Sequence, residues 1–360
     1  MNRAGIYPKL FHGGTMNDEL NGKKIAITGC CGTVGSELVK QILHNYSVEE
    51  LIGLDNSESD IFFLEQAYTK FKNSSFYIAD IRDRDELTQK LKGIDIVFHT
   101  AAYKHVILCE KSPFEAVQTN ILGVQNVIHA ARENQVKKVL FTSSDKAVNP
   151  TNVMGTSKLM GERLITAANS NARDNNTIFA STRFGNVLGS SGSVIPIFKS
   201  QIKSGGPLTL TDPAMTRFIM SIKQAVRLVI NSSLIACGGE VFITKMPVLN
   251  IKDLAEVMID KLAPRHGYDP KEIEIKIIGV KSGEKLYEEL MNDEETRRTY
   301  ELAEFFSVLP AFKSVYHDIE YAYQDVKSKT IAKAYNSMNE QPMSHSEVLK
   351  YLEDNDLLDD

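Results

Sequence analysis

Residues 24–38 contain the feature that most constrains how this chain folds. They read Lys-Ile-Ala-Ile-Thr-Gly-Cys-Cys-Gly-Thr-Val-Gly-Ser-Glu-Leu, an apolar strand followed by three regularly spaced glycines and the start of a helix. Glycines at these places permit a tight turn and let a pyrophosphate approach the backbone, while the helix N-terminus supplies N–H donors. The pattern predicts a dinucleotide-binding turn, with cofactor contacts at Thr28, Gly29, Gly32, Thr33, Val34 and Gly35.

A carboxylate at the end of the next strand indicates which dinucleotide binds. Asp55 lies 26 residues after Gly29, where a carboxylate can accept hydrogen bonds from ribose hydroxyls. It is followed by Asn-Ser-Glu-Ser, without a nearby Arg or Lys to bind a 2′-phosphate, which favours NAD over NADP. Further cofactor contacts are predicted at Asp80, Ile81, Ala101, Ala102 and Asn120.

From residue 24 onward, short apolar runs alternate with stretches of helical periodicity. Repeated strand–helix–strand units form right-handed crossovers, which build a parallel sheet with helices on both faces. The predicted fold class is therefore α/β, a doubly wound Rossmann sheet with a smaller, interleaved substrate-binding lobe. Strands are predicted at 25–28, 51–54, 76–79, 94–99, 138–142, 177–182 and 241–244, and helices at 35–46, 57–71, 83–92 and 113–134.

Composition beyond the sheet suggests how the rest of the chain is divided. Residues 184–220 are rich in Gly, Ser, Pro and Thr, and residues 273–291 read as a strand, a loop and a helix. The predicted divisions are an N-terminal extension (1–22), an NAD-binding domain (23–185, with a later strand near 241–244), mainly a substrate-capping lobe (186–310) and a C-terminal extension of two helices with an acidic tail (311–360).

Charge excludes one class of partner. The 360 residues carry a net charge of −5, of which residues 339–360 contribute −6. The remaining body is nearly neutral and offers no basic stripe, so no nucleic-acid partner is expected. Because the acidic tail lies outside the motifs described below, its removal after Met338 is expected to change assembly or solubility and to spare the chemistry.

Hydropathy and cysteine content indicate the compartment. No apolar run approaches the roughly 18–20 residues that span a bilayer, and the N-terminal 24 residues lack the apolar core of a signal peptide. Cys30, Cys31, Cys109 and Cys237 match neither a disulfide framework nor a zinc-ligand pattern. We therefore expect a soluble cytoplasmic protein that has no membrane span and no metal.

Ionisable side chains follow the predicted strand 138–142. Ser144, Asp145 and Lys146 come directly after it, and strand ends of an open parallel sheet face the ligand crevice. Lys158 lies on the next helix, with Met154 one turn before it on the same face. A thioether cannot carry a proton, so Met154 is either a packing residue or a substrate-contact surface, and the base for a sugar hydroxyl lies elsewhere.

Eight ordered motifs between residues 23 and 310 resemble those of the polysaccharide-biosynthesis 4,6-dehydratases, extended short-chain dehydrogenase/reductases that act on UDP-N-acetylglucosamine. Such a set is far more specific than a glycine turn alone. The motifs are Thr28-Gly-x-x-Gly-x-x-Gly35, Ala101-Ala-Tyr-Lys-His-Val, Thr119-Asn-Ile-Leu-Gly123, Ser144-Asp-Lys-Ala-Val-Asn-Pro150, Asn152-Val-Met-Gly-x-x-Lys158, Arg183-Phe-Gly-Asn-Val-Leu-Gly-Ser190, Thr211-Asp-x-x-x-Thr-Arg-Phe and Gly283-Glu-Lys-Leu-Tyr-Glu288.

The resemblance implies an internal redox cycle on bound NAD⁺ that yields a UDP-4-keto-6-deoxy-N-acetylhexosamine. Lys146 would remove the C5 proton, Asp145 would protonate the leaving C6 hydroxyl, Ser144 would orient the C4 oxygen and Lys158 would bind the nicotinamide ribose. In the superfamily the spacing at 154–158 is Tyr-x-x-x-Lys, and here the tyrosine is replaced by Met154. Neutral Lys146 is required, and we expect desolvation and neighbouring positive charges to lower its pKa.

The remaining motifs suggest contacts to the substrate, UDP-N-acetylglucosamine. Arg217 is predicted to clamp the diphosphate with two parallel hydrogen bonds. The alternative for each of these polar side chains is a solvated residue without a ligand. The predicted substrate contacts are Lys104, His105, Asn186, Thr209, Thr211, Arg217 and Glu284.

Three functional hypotheses remain open. The first is the dehydratase, with a homo-oligomer of two or more copies and with retention of configuration at C5 favoured by the motifs at 149–154 and 183–189. The second is a nucleotide-sugar C4 epimerase or reductase, which would share the cofactor turn and Lys158 but has no use for Asp145 and Lys146. The third is a non-catalytic NAD-binding scaffold, in which the absence of the tyrosine reflects a loss of catalytic activity.

Overall fold

The computed structural model describes residues 19–170, 177–190, 193–279, 283–312 and 319–359. The strands are β1 (Lys24–Thr28), β2 (Glu50–Asp55), β3 (Ser74–Ile78), β4 (Ile96–His99), β5 (Lys138–Thr142), β6 (Ile178–Arg183), β7 (Asn186–Leu188), β8 (Leu208–Leu210), β9 (Thr216–Ser221), β10 (Val241–Thr244), β11 (Val248–Asn250), β12 (Ile275–Ile277), β13 (Glu289–Met291), β14 (Thr299–Glu301), β15 (Phe305–Val308) and β16 (Tyr335–Asn336). The helices are α1 (Thr33–Asn45), α2 (Glu58–Tyr68), α3 (Arg84–Lys90), α4 (Val106–Lys111), α5 (Pro113–Val117), α6 (Gly123–Glu133), α7 (Val153–Ala167), α8 (Val194–Lys203), α9 (Ile222–Ile235), α10 (Ile251–Leu262), α11 (Asp293–Thr296) and α12 (His345–Asp354).

A nine-stranded sheet forms the centre of the molecule, in the order β14-β15-β10-β6-β5-β4-β1-β2-β3. The strands from β3 to β10 pair in parallel, whereas β15 is antiparallel to β10 and β14 is antiparallel to β15. The strand order reverses between β1 and β4, which places a ligand crevice beyond their carboxyl ends. The predicted doubly wound parallel α/β sheet is confirmed.

Most predicted elements of the sheet region occur within a few residues of their expected bounds. The predicted helix at 113–134 is divided into α5, a π-helical turn at Gln118–Leu122 and α6. The short helix α4, which the periodicity does not predict, precedes it. The predicted helix in 273–291 is wrong, because the described part of that range forms β12 and, at its end, β13.

A second apolar core lies outside the main sheet. Helices α8, α10 and α12 pack around it, beside the small sheets β11-β9-β7 and β12-β8. Between these segments the chain returns to the main sheet through β10, β14 and β15, so lobe and sheet interleave along the sequence. This arrangement puts β9 and the segment before β13 next to the carboxyl ends of the parallel strands.

The acidic C-terminal segment is part of this second core. Ser344 and Glu347 form a capping box at the start of α12, and Val348, Tyr351 and Leu352 are buried at helical spacing. The Tyr351 hydroxyl donates to Gln224 Oε1 over 2.9 Å. Of the two helices predicted in this segment, its described part contains one, α12, and residues 313–318 lie outside the described residues. Removal after Met338 would expose apolar surface of the lobe, in keeping with the expected change in assembly or solubility, and the sparing of the chemistry remains a prediction.

Within the described ranges, no helix combines the length and the apolar character needed to cross a membrane.

Leu352→Ala tests whether α12 holds the lobe together. Leu352 is 1% exposed, so truncation should lower the free energy of unfolding by about 2–5 kcal/mol, measured by urea denaturation. Glu353→Ala, at an exposed neighbouring position, should change it by less than about 0.5 kcal/mol. Equal stability of the two variants would contradict the assignment of α12 to the core.

Candidate active site

The glycine turn lies at the point where the strand order reverses. Gly29 has a φ of +71°, and a Cβ at this position would lie 2.6 Å from the backbone of Ala101, two residues after the end of β4. A Cβ on Gly35 would lie 2.0 Å from the Gly29 carbonyl oxygen. Among the described residues, no side chain caps α1 at Gly32, so N–H groups of its first turn remain available. The turn therefore fits a pyrophosphate, as the spacing predicts.

Asp55 is held at the rim of this turn by two backbone groups. Its Oδ2 accepts a hydrogen bond from the Cys31 N–H at 3.0 Å, and its Oδ1 accepts one from the Ser57 N–H at 3.1 Å. Each carboxylate oxygen keeps lone pairs for a further donor. The residues present thus fit an adenosine ribose next to the pyrophosphate turn.

Three other predicted cofactor residues use their side chains within the fold. Thr28 Oγ1 lies 2.7 Å from Nδ1 of buried His99, and the Asp80 carboxylate binds the Arg82 guanidinium at 2.6–3.0 Å. The hydrogen bonds from Arg82 lower the pKa of Asp80. The Ile81 side chain packs so closely on Gly123 that a Cβ there would lie 2.6 Å away. Cofactor contact by their backbone remains a prediction.

Asn120 positions a loop beside the cofactor turn. Its Oδ1 accepts from the Tyr103 N–H, its Nδ2 donates to the Tyr103 carbonyl, and Nδ2 also contacts Ser157 Oγ at 2.9 Å. The side chain is 1% exposed. Asn120 thereby fixes residues 101–104, including half-buried Ala102, against helix α7.

Lys158 and Met154 share α7 but lie in different environments. Lys158 is 6% exposed, its Nζ donates to the Thr142 carbonyl at 3.0 Å, and burial lowers its pKa to about 8. Met154 is buried in an apolar cluster with Cys109 and Ala116. Of the two roles open to Met154, these contacts favour packing. The thioether fills the position without supplying a proton acceptor.

Ser144, Asp145 and Lys146 form a compact cluster at the carboxyl end of β5. Ser144 Oγ donates to Asp145 Oδ1 at 2.5 Å, and Lys146 Nζ lies 3.2 and 3.4 Å from the two Asp145 oxygens. Asp145 is 2% exposed, whereas the Lys146 side chain is 28% exposed. A Cβ on Gly155 would lie 2.2 Å from the Lys146 carbonyl, so glycine allows α7 to pack directly on this turn.

Glu288 completes the cluster from a segment 142 residues away. Its Oε1 lies 3.3 Å from Lys146 Nζ and 3.5 Å from Arg217 Nε, and the residue is 4% exposed. Burial, followed by the charge of Asp145, raises the pKa of Glu288. The motif 283–288 contains both Glu284 and Glu288, and the predicted site residue, Glu284, is exposed. No local periodicity distinguishes the two glutamates.

The charge state of Lys146 differs from the expectation. Burial acts to lower its pKa, but the carboxylates of Asp145 and Glu288 outweigh that effect and raise the pKa above its ordinary value. The expected lowering of the pKa of Lys146 is therefore wrong for this arrangement, since two anions face the ammonium. Lys146 is charged at neutral pH.

The segment that carries Glu288 is tied down at several points. Ser337 Oγ accepts from the Glu288 N–H and the Ser337 N–H donates to the Glu288 carbonyl, both at 2.9 Å. At the other end, Asn152 Nδ2 donates to the Gly283 carbonyl at 3.3 Å and Lys285 Nζ donates to the Val148 carbonyl at 3.1 Å. Residues 283–291 therefore close over the turn that holds Lys146.

Arg217 binds the backbone of the same segment. Its guanidinium donates to the carbonyls of Thr216 and Leu286 through Nη1 and to that of Lys285 through Nη2, and the residue is 7% exposed. These contacts do not support the predicted bidentate clamp on a diphosphate, because the donors already bind the backbone. Arg217 Nε lies 3.5 Å from Glu288 Oε1.

The other predicted substrate residues are more open. Thr209 Oγ1 accepts from Gln201 Nε2 at 2.8 Å, while Asn186 and Thr211 are half-buried. Lys104 and His105 are exposed at the loop before α4, as is Glu284. Their contact with a ligand remains a prediction.

The parallel sheet and the glycine turn at its switch point define a nucleotide-binding protein of the Rossmann class. Residues 25–310 match the model of the family described as polysaccharide biosynthesis protein, and the chain belongs to that family.

Several relatives of this chain come from bacteria. The chain is 38% identical over 310 residues to an inverting UDP-N-acetylglucosamine 4,6-dehydratase of Campylobacter jejuni, covering 86% of this chain and 89% of that protein. It is 36% identical over 333 residues to a UDP-glucose 4-epimerase of Rickettsia bellii, covering 92% and 95%. The X-ray structure of Pen from Bacillus thuringiensis is similar with a TM-score of 0.86 and 41% identity, covering 94% and 99%.

Lys158→Met tests the burial of the ammonium. The pKa of about 8 lies below the ordinary 10.5, so the folded protein binds fewer protons between these values and its stability rises with pH there. At pH 7 the cost of burying the charge is fully present. The variant should therefore raise the free energy of unfolding by about 1–3 kcal/mol at pH 7, with a smaller gain near pH 10.5, measured by urea denaturation.

The exposed Lys40→Met is the matched control and should leave stability nearly unchanged at both pH values. A Lys158→Met variant that is less stable than the parent at pH 7 would show that the contacts of the ammonium outweigh its desolvation.

Proposed function

We propose that this protein is an NAD-dependent UDP-N-acetylglucosamine 4,6-dehydratase that forms a UDP-4-keto-6-deoxy-N-acetylhexosamine. The observation that carries the proposal is the contact between Asp145 and Lys146 at the carboxyl end of β5, 3.2 Å apart. Elimination of water across C5 and C6 requires a base at C5 and an acid at the C6 oxygen. The similarity to the Campylobacter jejuni dehydratase supports the same reaction.

NAD⁺, when bound, would accept a hydride from C4 and return it to C6. The glycine turn would hold its pyrophosphate and Asp55 its adenosine ribose. Lys158 would hold the nicotinamide ribose with an ammonium that is charged at neutral pH because its pKa is about 8.

Ser144 and Asp145 replace the missing tyrosine in this proposal. Ser144 Oγ already donates to Asp145 Oδ1, so a sugar hydroxyl that donates to Ser144 can pass its proton to the Asp145 carboxylate. Asp145 then carries the proton that the C6 oxygen needs to leave as water. One proton thus moves from the C4 hydroxyl to the departing C6 hydroxyl.

Lys146 acts at C5 once C4 is a ketone, which makes the C5 proton acidic. Its neutral amine takes that proton, and the resulting ammonium returns it to C5 after the water has left. If the same amine removes and returns the proton without changing its position, the proton reaches the face of C5 that it left. We therefore propose that the configuration at C5 is retained, in contrast to the relative named as inverting.

The second candidate is a C4 epimerase, which the Rickettsia bellii relative favours. Such an enzyme would use the same glycine turn, Asp55 and Lys158. It would expel no hydroxyl group and would need no acid at C6, so the Asp145–Lys146 pair would have no role in its reaction.

Incubation with UDP-N-acetylglucosamine in deuterium oxide, followed by NMR, tests the proposal. A dehydratase gives a C6 methyl group, deuterium at C5 and no net NADH, and the coupling constants of the product report its C5 configuration. Lys146→Met and Asp145→Asn should each lower turnover by about 10²–10⁴-fold, since each removes a proton-transfer group. The exposed Lys276→Met should turn over like the parent.

An epimerised sugar that keeps its C6 hydroxyl would support the second candidate. Unchanged substrate would indicate a non-catalytic NAD-binding protein.

A further inference from the structure

This inference rests on the proposed dehydration. In that reaction the proton that Lys146 carries as an ammonium has no assigned acceptor. Two carboxylates keep Lys146 charged, yet the C5 step needs a neutral amine. Asp145 cannot take the surplus proton, because it receives the proton of the C4 hydroxyl. Besides water, which reaches the 28% of the Lys146 side chain that is exposed, a second acceptor in contact with Lys146 can take this proton.

Glu288 meets the geometric requirement. Its Oε1 is 3.3 Å from Lys146 Nζ, within reach of a direct proton transfer. The charged groups that face this pair are Asp145 on the turn after β5 and Arg217 on β9. The Glu288 side chain is 6% exposed, so water does not compete freely for its carboxylate.

We propose that Glu288 is a positioning residue that takes the surplus proton of Lys146 and so prepares the amine for the C5 step. The N–H bond of the ammonium breaks, its electron pair stays on nitrogen, and an O–H bond forms on Glu288 Oε1. The products are a neutral amine and a neutral carboxylic acid. When Lys146 has returned the C5 proton, the acid can give its proton back and restore the ion pair.

The environment favours such an exchange. A buried ion pair loses the hydration of two charges, whereas the neutral pair does not. Burial and then the negative charge of Asp145 raise the pKa of Glu288, and the charges of Lys146 and Arg217 only partly oppose them. The carboxyl is thereby brought closer to the protonated form without losing the contact that positions Lys146.

Hydrogen bonds fix the backbone on both sides of the Glu288 side chain. Ser337 binds both its N–H and its carbonyl, and the following residues pair with β16. Neighbouring Glu289 points to other partners, since its carboxylate contacts Lys285 and Asn149. Two adjacent glutamates thus have separate contacts, and Glu289→Gln offers a matched control.

The test compares Glu288→Gln, Glu288→Asp and Glu289→Gln. Glutamine keeps an oxygen acceptor for Lys146 and Arg217 but cannot take a proton. At neutral pH we expect Glu288→Gln to lower product formation about 100-fold. Its rate should rise with pH, because hydroxide then removes the proton from Lys146. Reduced nicotinamide should accumulate and be seen by its near-ultraviolet absorbance, since C4 oxidation precedes the blocked step.

Glu288→Asp should recover part of the rate and should lack the rise with pH, and Glu289→Gln should match the parent. A Glu288→Gln variant with the parental rate and pH profile would overturn the proposal. Loss of C4 oxidation together with elimination would also overturn it, because that pattern indicates a structural role.

A second measurement needs no substrate and separates this inference from the proposed function. NMR titration of lysine labelled at Cε should show Lys146 losing its proton at lower pH in Glu288→Gln than in the parent, because a negative neighbour is gone. Glu289→Gln should leave that titration unchanged. An unshifted Lys146 titration in Glu288→Gln would refute the coupling of the two groups, whether or not the sugar is dehydrated.

Discussion

The buried guanidinium of Arg183 is the contact on which the arrangement of the site depends. At the end of β6 it binds Glu162 on α7 at 2.6 Å and Glu295 on α11 at 3.0 Å, and it is 1% exposed. A further bond reaches the Leu290 carbonyl in β13. Removing one partner of such a buried group typically costs about 3–5 kcal/mol, because a charge is left uncompensated. The sheet, the helix of Lys158 and the segment of Glu288 are therefore held in one geometry.

This constraint gives the site a balanced set of charges. Asp145 and Glu288 supply two carboxylates, and Lys146 and Arg217 supply two cations, within a cluster that is largely buried. Balanced charge lets protons move between groups without leaving an isolated ion in a medium of low dielectric constant. In the proposed reaction, Ser144 and Asp145 take the place of the missing tyrosine, since the Ser144 hydroxyl donates to the Asp145 carboxylate.

The sequence was informative wherever a signal is local. The glycine turn, the strand periodicities and the Asp145–Lys146 pair lie within short stretches, and the sheet confirms the fold class that they predict. It was misleading where a segment depends on distant partners. β13 has no strand periodicity of its own and pairs with the two residues of β16, and α12 carries an acidic surface that conceals its apolar face. Arg217 has the side chain of a phosphate ligand, but its guanidinium donates to three backbone carbonyls, two of them in a segment distant in the sequence.

The amino-acid sequence by itself determined a Rossmann sheet, a glycine turn followed by Asp55, and the adjacent pair Asp145 and Lys146, because each follows from residues close together in the chain. The tertiary structure alone decided that Glu288 contacts both Lys146 and Arg217, and that two anions raise the pKa of Lys146. These outcomes depend on which buried charges face each other across 71 to 142 residues of chain. Spacing along the sequence carries no information about that, because the electrostatic energy depends on distance in space and on burial.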